Sequence, residues 1–265
     1  MPKTILITGA TDGIGLETAK LLSADGHHFL VHGRSPAKLD ALVEALPDGA
    51  HVEAYLADFS NLDDVMKLAS DVAANHTHLD VLINNAGVYK TPNPVMSDGS
   101  DVRFVVNTIA PYLLTKRLLP LMDANGRVVN LSSAAQAPVN LDALAGKAKV
   151  SDMEAYAQSK LAITAWSRAM AQELGSNGPV VVAVNPGSLL ASKMVKEGFG
   201  VEGSDLSIGA GILVRAALSD EFAEASGKYF DNDSGQFAPP HPEGLDDQKN
   251  QEIVRVVEAA LAGKL

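Results

Sequence analysis

Short runs of β-branched and aliphatic residues alternate along the chain with longer stretches in which apolar positions return every three or four residues. The runs fall at residues 5–7, 29–31, 52–56, 81–83, 128–131 and 180–184. Their hydrophobicity is continuous rather than alternating, as in strands buried on both faces. The stretches of helical period lie around residues 13–25, 36–46, 61–75, 98–122 and 153–174. A last run at 228–230 and an amphipathic stretch from about 248 to 261 complete the order. Such alternation predicts right-handed βαβ crossovers and an α/β fold: a doubly wound parallel sheet of about seven strands flanked by helices. No repeat, low-complexity tract or linker-like shift interrupts it, so residues 1–265 read as a single domain. Residues 134–152 and 188–204 fit neither period. Both follow strands, at the ends where open α/β sheets bind ligands, and both are read as substrate loops.

Charge and cysteine content narrow the classes of function. Lys and Arg number 21 against 32 Asp and Glu, a formal net charge of −11. Such a surface repels phosphate backbones and anionic bilayers, so neither a nucleic-acid nor a membrane partner is expected. The absence of cysteine excludes disulfides, thiolate nucleophiles and Cys-ligated zinc. The apolar runs fall far short of the ~20 residues of a membrane span. The first strand starts by Thr4, which leaves no room for a signal peptide, and a cytoplasmic location is expected.

The first candidate for chemistry is the turn Gly9-Ala10-Thr11-Asp12-Gly13-Ile14-Gly15 between the first strand and the helix carrying Leu16, Ala19 and Leu22. Glycines here permit a tight turn, a close backbone approach to a pyrophosphate and close helix–strand packing, while free N–H groups at the helix start face phosphate. The spacing is neither G-x-G-x-x-G nor a P-loop. The second strand, residues 27–32, ends in Gly33-Arg34 where an acidic residue would reject a 2′-phosphate; an arginine there pairs with one. NADP(H) is therefore expected over NAD(H). Asp58, ending the third strand, either receives an adenine amino group or caps the helix starting near Asn61, a role for which Ser60 competes. Asn84-Asn85-Ala86-Gly87 ends the fourth strand with small residues and turn-fixing amides.

Tyr156 and Lys160 stand four apart in a helical stretch, one turn from each other on one face. A neighbouring ammonium favours phenolate, so the pair predicts a tyrosine of lowered pKa suited to proton transfer. Ser132-Ser133 end the fifth strand on the same sheet edge. Asn107 sits among Val105, Val106 and Ile109, where a polar amide satisfies backbone or holds a bent helix open for water.

Taken together, Thr8-Gly9-x-x-x-Gly13-Ile14-Gly15, Asn84-Asn85-Ala86-Gly87, Asn107, Ser133, Tyr156-x-x-x-Lys160 and Asn185-Pro186-Gly187 resemble the short-chain dehydrogenase/reductase family, in order and over essentially the whole chain. The resemblance implies a Rossmann-type domain and an oxidoreductase passing a hydride between NADP(H) and a carbonyl/alcohol pair. In it Tyr156 is the general acid, Ser133 binds the carbonyl oxygen with Ser132 in support, and Lys160 binds the nicotinamide ribose and depresses the Tyr156 pKa. Asn107 holds a water, the turn with Gly9, Thr11, Asp12, Gly13, Ile14 and Gly15 takes the pyrophosphate, Asn85, Ala86 and Gly87 line the adenosine side, and Pro186 and Gly187 line the nicotinamide. The threonine common after the Pro-Gly pair is here Ala191, followed by Ser192 as the candidate substitute. The long Ser133–Tyr156 separation and the ending Ser226-Gly227-Lys228-Tyr229-Phe230 resemble the retinol-dehydrogenase-like and protochlorophyllide-reductase-like branch. A homodimer or homotetramer through the Asn107 and Tyr156 helices is implied by the same likeness.

Leu189, Leu190, Met194, Val195 and Phe199 of one loop and Val139, Leu141 and Leu144 of the other predict an apolar pocket for a lipophilic aldehyde, ketone or secondary alcohol, unless they pack the loops. Trp166 and Met170 are read as core, the acidic segment from Glu243 to Glu252 as solvated surface, and His76-x-His78 as loop surface without a carboxylate at ligand spacing; no metal is expected. Two rival readings are a dinucleotide-sensing regulator without chemistry and a nucleotide-sugar isomerase or dehydratase. The first has no need of the Ser133, Tyr156 and Lys160 set, and the second usually carries a larger carboxyl-terminal domain.

Overall fold

The fold is given by a computed structural model that describes residues 2–23, 26–47, 50–191, 196, 200 and 202–265. The apolar runs form β1 (Thr4–Ile7), β2 (His28–Gly33), β3 (His51–Leu56), β4 (Val81–Asn84), β5 (Arg127–Leu131), β6 (Val180–Asn185) and β7 (Tyr229–Asp231), with β8 (Gln236–Ala238) after them. They join in one sheet ordered β3-β2-β1-β4-β5-β6-β7-β8. All pairs are parallel except β7 with β8, a hairpin that adds an antiparallel edge to the expected seven strands. Between β1 and β4 the chain reverses its direction of winding, and loops leaving these neighbours part to leave a crevice.

Alternate strand residues feed two separate cores. Leu6, Leu30, Leu82, Val128 and Val181 face one side, with apolar residues of α3 (Leu62–Asn75), α5 (Ala110–Leu118), α7 (Asp152–Leu174) and α9 (Asp247–Ala260). Ile5, Ile7, Phe29, Val31, Ile83, Val129, Val182 and Val184 face the other, with α1 (Gly13–Ser23), α2 (Pro36–Ala45) and α8 (Leu206–Leu218). Each buried Val, Leu or Ile contributes about 1.5–3 kcal/mol, so the two cores dominate the stability of the sheet. Trp166 and Met170 lie in the first core as expected. One polar exception is a buried chain in which Asn84 donates to Asn130 at 2.8 Å and Thr115 at 3.0 Å, while Asn130 donates to Ser167 at 2.8 Å.

Four local features depart from the sequence reading. The stretch at 98–122 is not one helix: α4 (Val102–Phe104) runs into a π-helical turn, Val105–Ile109, before α5. Asn61, not Asp58 or Ser60, caps α3 by accepting from Asp63 N at 3.1 Å. Residues 141–144 form a one-turn helix, α6 (Leu141–Leu144), whose Leu144 is core, while Val139 and Leu141 pack against that core. His76 is not loop surface: it ends α3 and meets Glu53 Oε2 at 3.0 Å, whereas His78 is exposed.

Arg103, which carries no sequence signal, is fully buried and ties α4 to α7. It grips both oxygens of Asp101 at 2.8 and 2.6 Å and reaches Asp152 at 2.5 Å. Removing a buried ion's partner is costly because the remaining charge stays desolvated. Urea unfolding of Arg103→Met is therefore expected to show a loss of about 3 kcal/mol, part of which Asp101→Asn in the same chain restores. Equal stability of Arg103→Met and the parent would contradict this account.

Candidate active site

The carboxyl ends of β1, β4, β5 and β6 share one rim, because the parallel register sets Ile7 beside Ile83, Asn84 beside Asn130 and Leu131 beside Val184. Every turn leaving that rim is tied down by side chains. The Thr8 hydroxyl accepts from the N–H groups of Asn85 and Ala86 at 3.0 and 3.1 Å. In return the Asn85 amide donates to the carbonyls of Thr8 and Gly9 at 2.9 and 3.0 Å. Asn85 thus braces the glycine turn, and its side-chain amide is spent there rather than turned toward a ligand.

Glycine is required at two positions of that turn. Gly9 has φ +65°, and a Cβ there would stand 2.8 Å from Ala86 Cα. A Cβ on Gly15 would stand 2.3 Å from the Gly9 carbonyl and 2.4 Å from the Asn85 amide. The α1 helix then starts at Gly13, with first-turn N–H groups that have no partner inside the helix. Ile14 packs under α8 against Gly209. Asp12 accepts from Gly13 N at 2.9 Å and pairs with Lys38 at 2.6 Å, so its carboxylate holds the turn.

Sequence reasoning missed His32, a buried residue on β2. Its Nδ1 accepts from the Gly9 N–H at 3.1 Å and its Nε2 lies 3.0 Å from the Ala57 carbonyl, an arrangement served by the neutral Nε2–H tautomer. The ring stacks on Phe59 at 4.3 Å. Burial drives its pKa down to about 4, against the hydrogen bond to Ala57 and the Asp58 charge, which act upward.

At the end of β2 a Cβ on Gly33 would stand 2.5 Å from Thr11 Cγ2, so no side chain fits there without displacing Thr11. Arg34 follows, exposed and without an ion pair among the described residues. Asp58 accepts from the Ser60 N–H and hydroxyl at 2.9 and 2.8 Å, which shapes the turn before α3.

Across the crevice, α7 starts with a capping box between Ser151 and Glu154 and carries Tyr156, Ser159, Lys160 and Thr164 along one stripe. Ser132 is fully engaged, bonded to the Lys160 carbonyl at 3.0 Å and the Thr164 hydroxyl at 2.7 Å, so it pins β5 to α7. The Ser133 hydroxyl accepts from the Ala135 N–H at 3.1 Å, and its carbonyl accepts from Tyr229 at 3.1 Å and Gln136 at 2.9 Å. Tyr89, also missed in the sequence, packs on Tyr156 with ring centroids 5.1 Å apart.

Lys160 is buried and donates to the Leu131 carbonyl at 2.8 Å, with Nζ 5.8 Å from the Tyr156 ring centre. Burial alone lowers its pKa to about 8. The expected depression of the Tyr156 pKa is not found. Burial raises it above the ordinary phenol value, the Ser133 hydrogen bond works against that rise, and Tyr89 adds to it. Asn107 sits in the middle of the π-helical turn, where its amide accepts from Val88 N at 2.8 Å and donates to Val88 O at 2.9 Å and Ser159 Oγ at 3.0 Å. The widened turn is what lets this amide face inward. Gly87 lies between the two: a Cβ there would be 3.4 Å from Asn107 Oδ1 and 3.6 Å from Lys160 Nζ.

After β6, Asn185 donates to Asp231 and Asp233 at 2.8 and 2.9 Å, and Asn232 holds the Pro186 carbonyl at 2.9 Å, so the β7–β8 hairpin fixes the Pro186-Gly187 exit. Leu190 turns inward against Gly209, and Leu189 is exposed with φ 51°. Ser192, Met194, Val195 and Phe199 lie outside the described residues. The residues present fit a dinucleotide: a backbone-only turn, a helix start for pyrophosphate, a cation after β2 and an ammonium beside Gly87 at the reacting end.

The sequence model of the family described as short chain dehydrogenase matches residues 3–200. Human retinol dehydrogenase 13 is 32% identical over 270 residues, which span 93% of this chain and 80% of that protein. The chloroplastic short-chain dehydrogenase TIC 32 A of Brassica napus is 30% identical, spanning 86% and 79%. A crystal structure of an uncharacterized Mycobacterium paratuberculosis protein superposes with a TM-score of 0.81 at 26% identity, covering 97% of this chain and 92% of that one.

The depressed His32 pKa has a sign that can be measured. Between its unfolded value of 6.5 and about 4, the unfolded chain takes up a proton that the folded chain refuses, so stability falls as pH falls through this window. The loss at the acid end amounts to about 3 kcal/mol, at ~1.4 kcal/mol per pH unit. His32→Gln is expected to lower stability at pH 7 and to flatten that slope in urea unfolding from pH 7 to 4; an unchanged slope would refute the assignment.

Proposed function

The chain belongs to the short-chain dehydrogenase family, and from that premise we propose that it transfers a hydride between NADP(H) and a lipophilic carbonyl/alcohol pair. The observation that carries the reading is that Ser133 at the end of β5 and the Tyr156 and Lys160 stripe of α7 share one rim with the glycine turn, with Lys160 Nζ 2.8 Å from the Leu131 carbonyl and 5.8 Å from the Tyr156 ring centre. In the direction of reduction, NADPH bound on this rim would supply the hydride that the carbonyl carbon takes up. Ser133 orients the carbonyl oxygen and Tyr156 gives it a proton, completing the alcohol. A phenol whose pKa burial raises keeps that proton near neutral pH, which suits an acid rather than a base. Lys160 binds the ribose hydroxyls beside Gly87, and Asn107 acts by holding the Val88 strap and Ser159 in place. Ala86, Gly87, Pro186 and Gly187 line the remaining dinucleotide surface.

Two observations favour NADP(H). The space at Gly33 leaves no room for the acidic side chain that would repel a 2′-phosphate, and Arg34 stands beside it as an exposed cation. For the substrate, the Tyr89 ring against Tyr156 and the exposed Leu189 make the approach apolar, and a relative bears the name retinol dehydrogenase. A homodimer or homotetramer forms on surfaces other than the face of α7 that α9 covers, where Arg168 and Gln172 hold Asp247. No helix among the described residues is long and apolar enough to cross a membrane.

Assays of NADPH oxidation against a panel of carbonyls test the chemistry. Tyr156→Phe is expected to lower kcat by about 10²–10⁴-fold with dinucleotide affinity retained. Turnover that survives the substitution, or turnover confined to small charged acids, would overturn the reading. For the cofactor, Arg34→Ala is expected to raise KM for NADPH by about tenfold while leaving NADH kinetics alone. Equal kcat/KM for NADPH and NADH in the parent protein would remove the NADP(H) preference.

A further inference from the structure

At the opposite end of the sheet from the rim, two imidazoles and a carboxylate converge from three separate elements. His28 is the first residue of β2, Glu53 the third of β3, and His76 ends α3. Register places His28 opposite His51 and Leu30 opposite Glu53, so strand alternation sends His28 and Glu53 to the same face of the sheet, the face α3 covers. Glu53 spans the pair: Oε1 lies 3.0 Å from His28 Nε2, and Oε2 lies 3.0 Å from His76 Nε2. One ligating atom from each of the three falls within 4.8 Å of the others. The Tyr55 hydroxyl donates to Glu53 Oε2 at 2.8 Å, and the His51 ring stands 6.1 Å from that of His28.

The geometry points to a zinc-type divalent cation site formed by His28, Glu53 and His76, with a fourth position left for water or His51. Two neutral imidazole nitrogens and one carboxylate are a ligand set that zinc takes. Around a tetrahedral zinc with bonds of about 2.0–2.2 Å, neighbouring ligand atoms stand about 3.3 Å apart; the two imidazole nitrogens already stand 3.0 Å from the two Glu53 oxygens, and the three ligating atoms, within 4.8 Å of one another, need to draw together by no more than about 1.5 Å. Neither lysine nor arginine pairs with Glu53 among the described residues, so no fixed cation competes for the carboxylate. Tyr55 supplies the outer hydrogen bond that orients a ligating carboxylate. A solvent-open groove along β3, lined by Tyr55, Asp64, Lys67 and Asp71, reaches Glu53. An ion here would join the edge strand β3 to β2 and α3, away from the groups assigned to hydride transfer.

Calorimetric titration of the chelator-treated full chain with Zn²⁺ tests the site. One ion per chain is expected, with Kd in the micromolar range or below, no matching uptake of Mg²⁺, and a rise in Tm of about 5 °C at hundredfold excess over Kd. Co²⁺ in place of Zn²⁺ is expected to give visible ligand-field bands. His28→Gln and His76→Gln are each expected to weaken Zn²⁺ binding at least tenfold and to abolish the Co²⁺ bands, while NADPH-dependent turnover stays at the parental rate. His28 is partly exposed, so its variant decides the matter if His76→Gln fails to fold. Failure to bind Zn²⁺, or binding that both variants retain, overturns the proposal whether or not the chain reduces carbonyls.

Discussion

The crevice depends on one amide. Asn85 leaves β4 on one side of the winding reversal and donates to the carbonyls of Thr8 and Gly9 on the other, while Thr8 returns two hydrogen bonds to the β4 exit. Loops from neighbouring strands would otherwise part freely, and a glycine turn carries the largest backbone entropy of any segment. The lattice of short contacts around Asn85 converts that loose turn into a fixed surface, and it explains why Gly15 has no space for a methyl group. His32 closes the same turn from β2, so three strands hold a stretch with few side chains of its own.

The other wall is fixed by different means. Ser132 and Thr164 lock the end of β5 to α7, Arg103 locks the start of α7 to α4, and Asn107 reaches α7 from a turn widened by one residue. Each polar group is buried and paired, which is the condition under which burial of polar atoms costs little. Tyr156 is left at the junction of these rigid pieces, with the Tyr89 ring against its own and Lys160 Nζ 5.8 Å from its ring centre. The depression of its pKa expected from Lys160 was an argument from helical spacing. The spacing holds, but the ammonium is drawn to the Leu131 carbonyl, and burial then sets the phenol.

The strands were legible because a strand buried on both faces has to be mostly apolar, as the runs are apart from Asn130 and, on the edge strand β3, Glu53. The Gly, Ser, Tyr and Lys positions were legible because each depends on spacing within a few residues. What escaped the sequence shares one trait: the partner is distant along the chain. His32 reads as another strand residue until Gly9 and Ala57 are beside it, and His76 looks unpartnered because Glu53 is 23 positions earlier. Arg103 gives no sign of burial, and β8 is too short and polar to announce itself. The π-helical turn keeps the helical period closely enough that 98–122 looked continuous.

The sheet separates two apolar compartments that meet no common side chain: one around Trp166 and Leu82, the other around Phe29 and Val184. Substitutions that share neither contacts nor partners combine additively, while those in one packed cluster do not. The chain therefore carries two independent mutational neighbourhoods, and a change tolerated in one leaves the options of the other untouched. A repacking on the α1, α2 and α8 side needs no compensating change beneath α7.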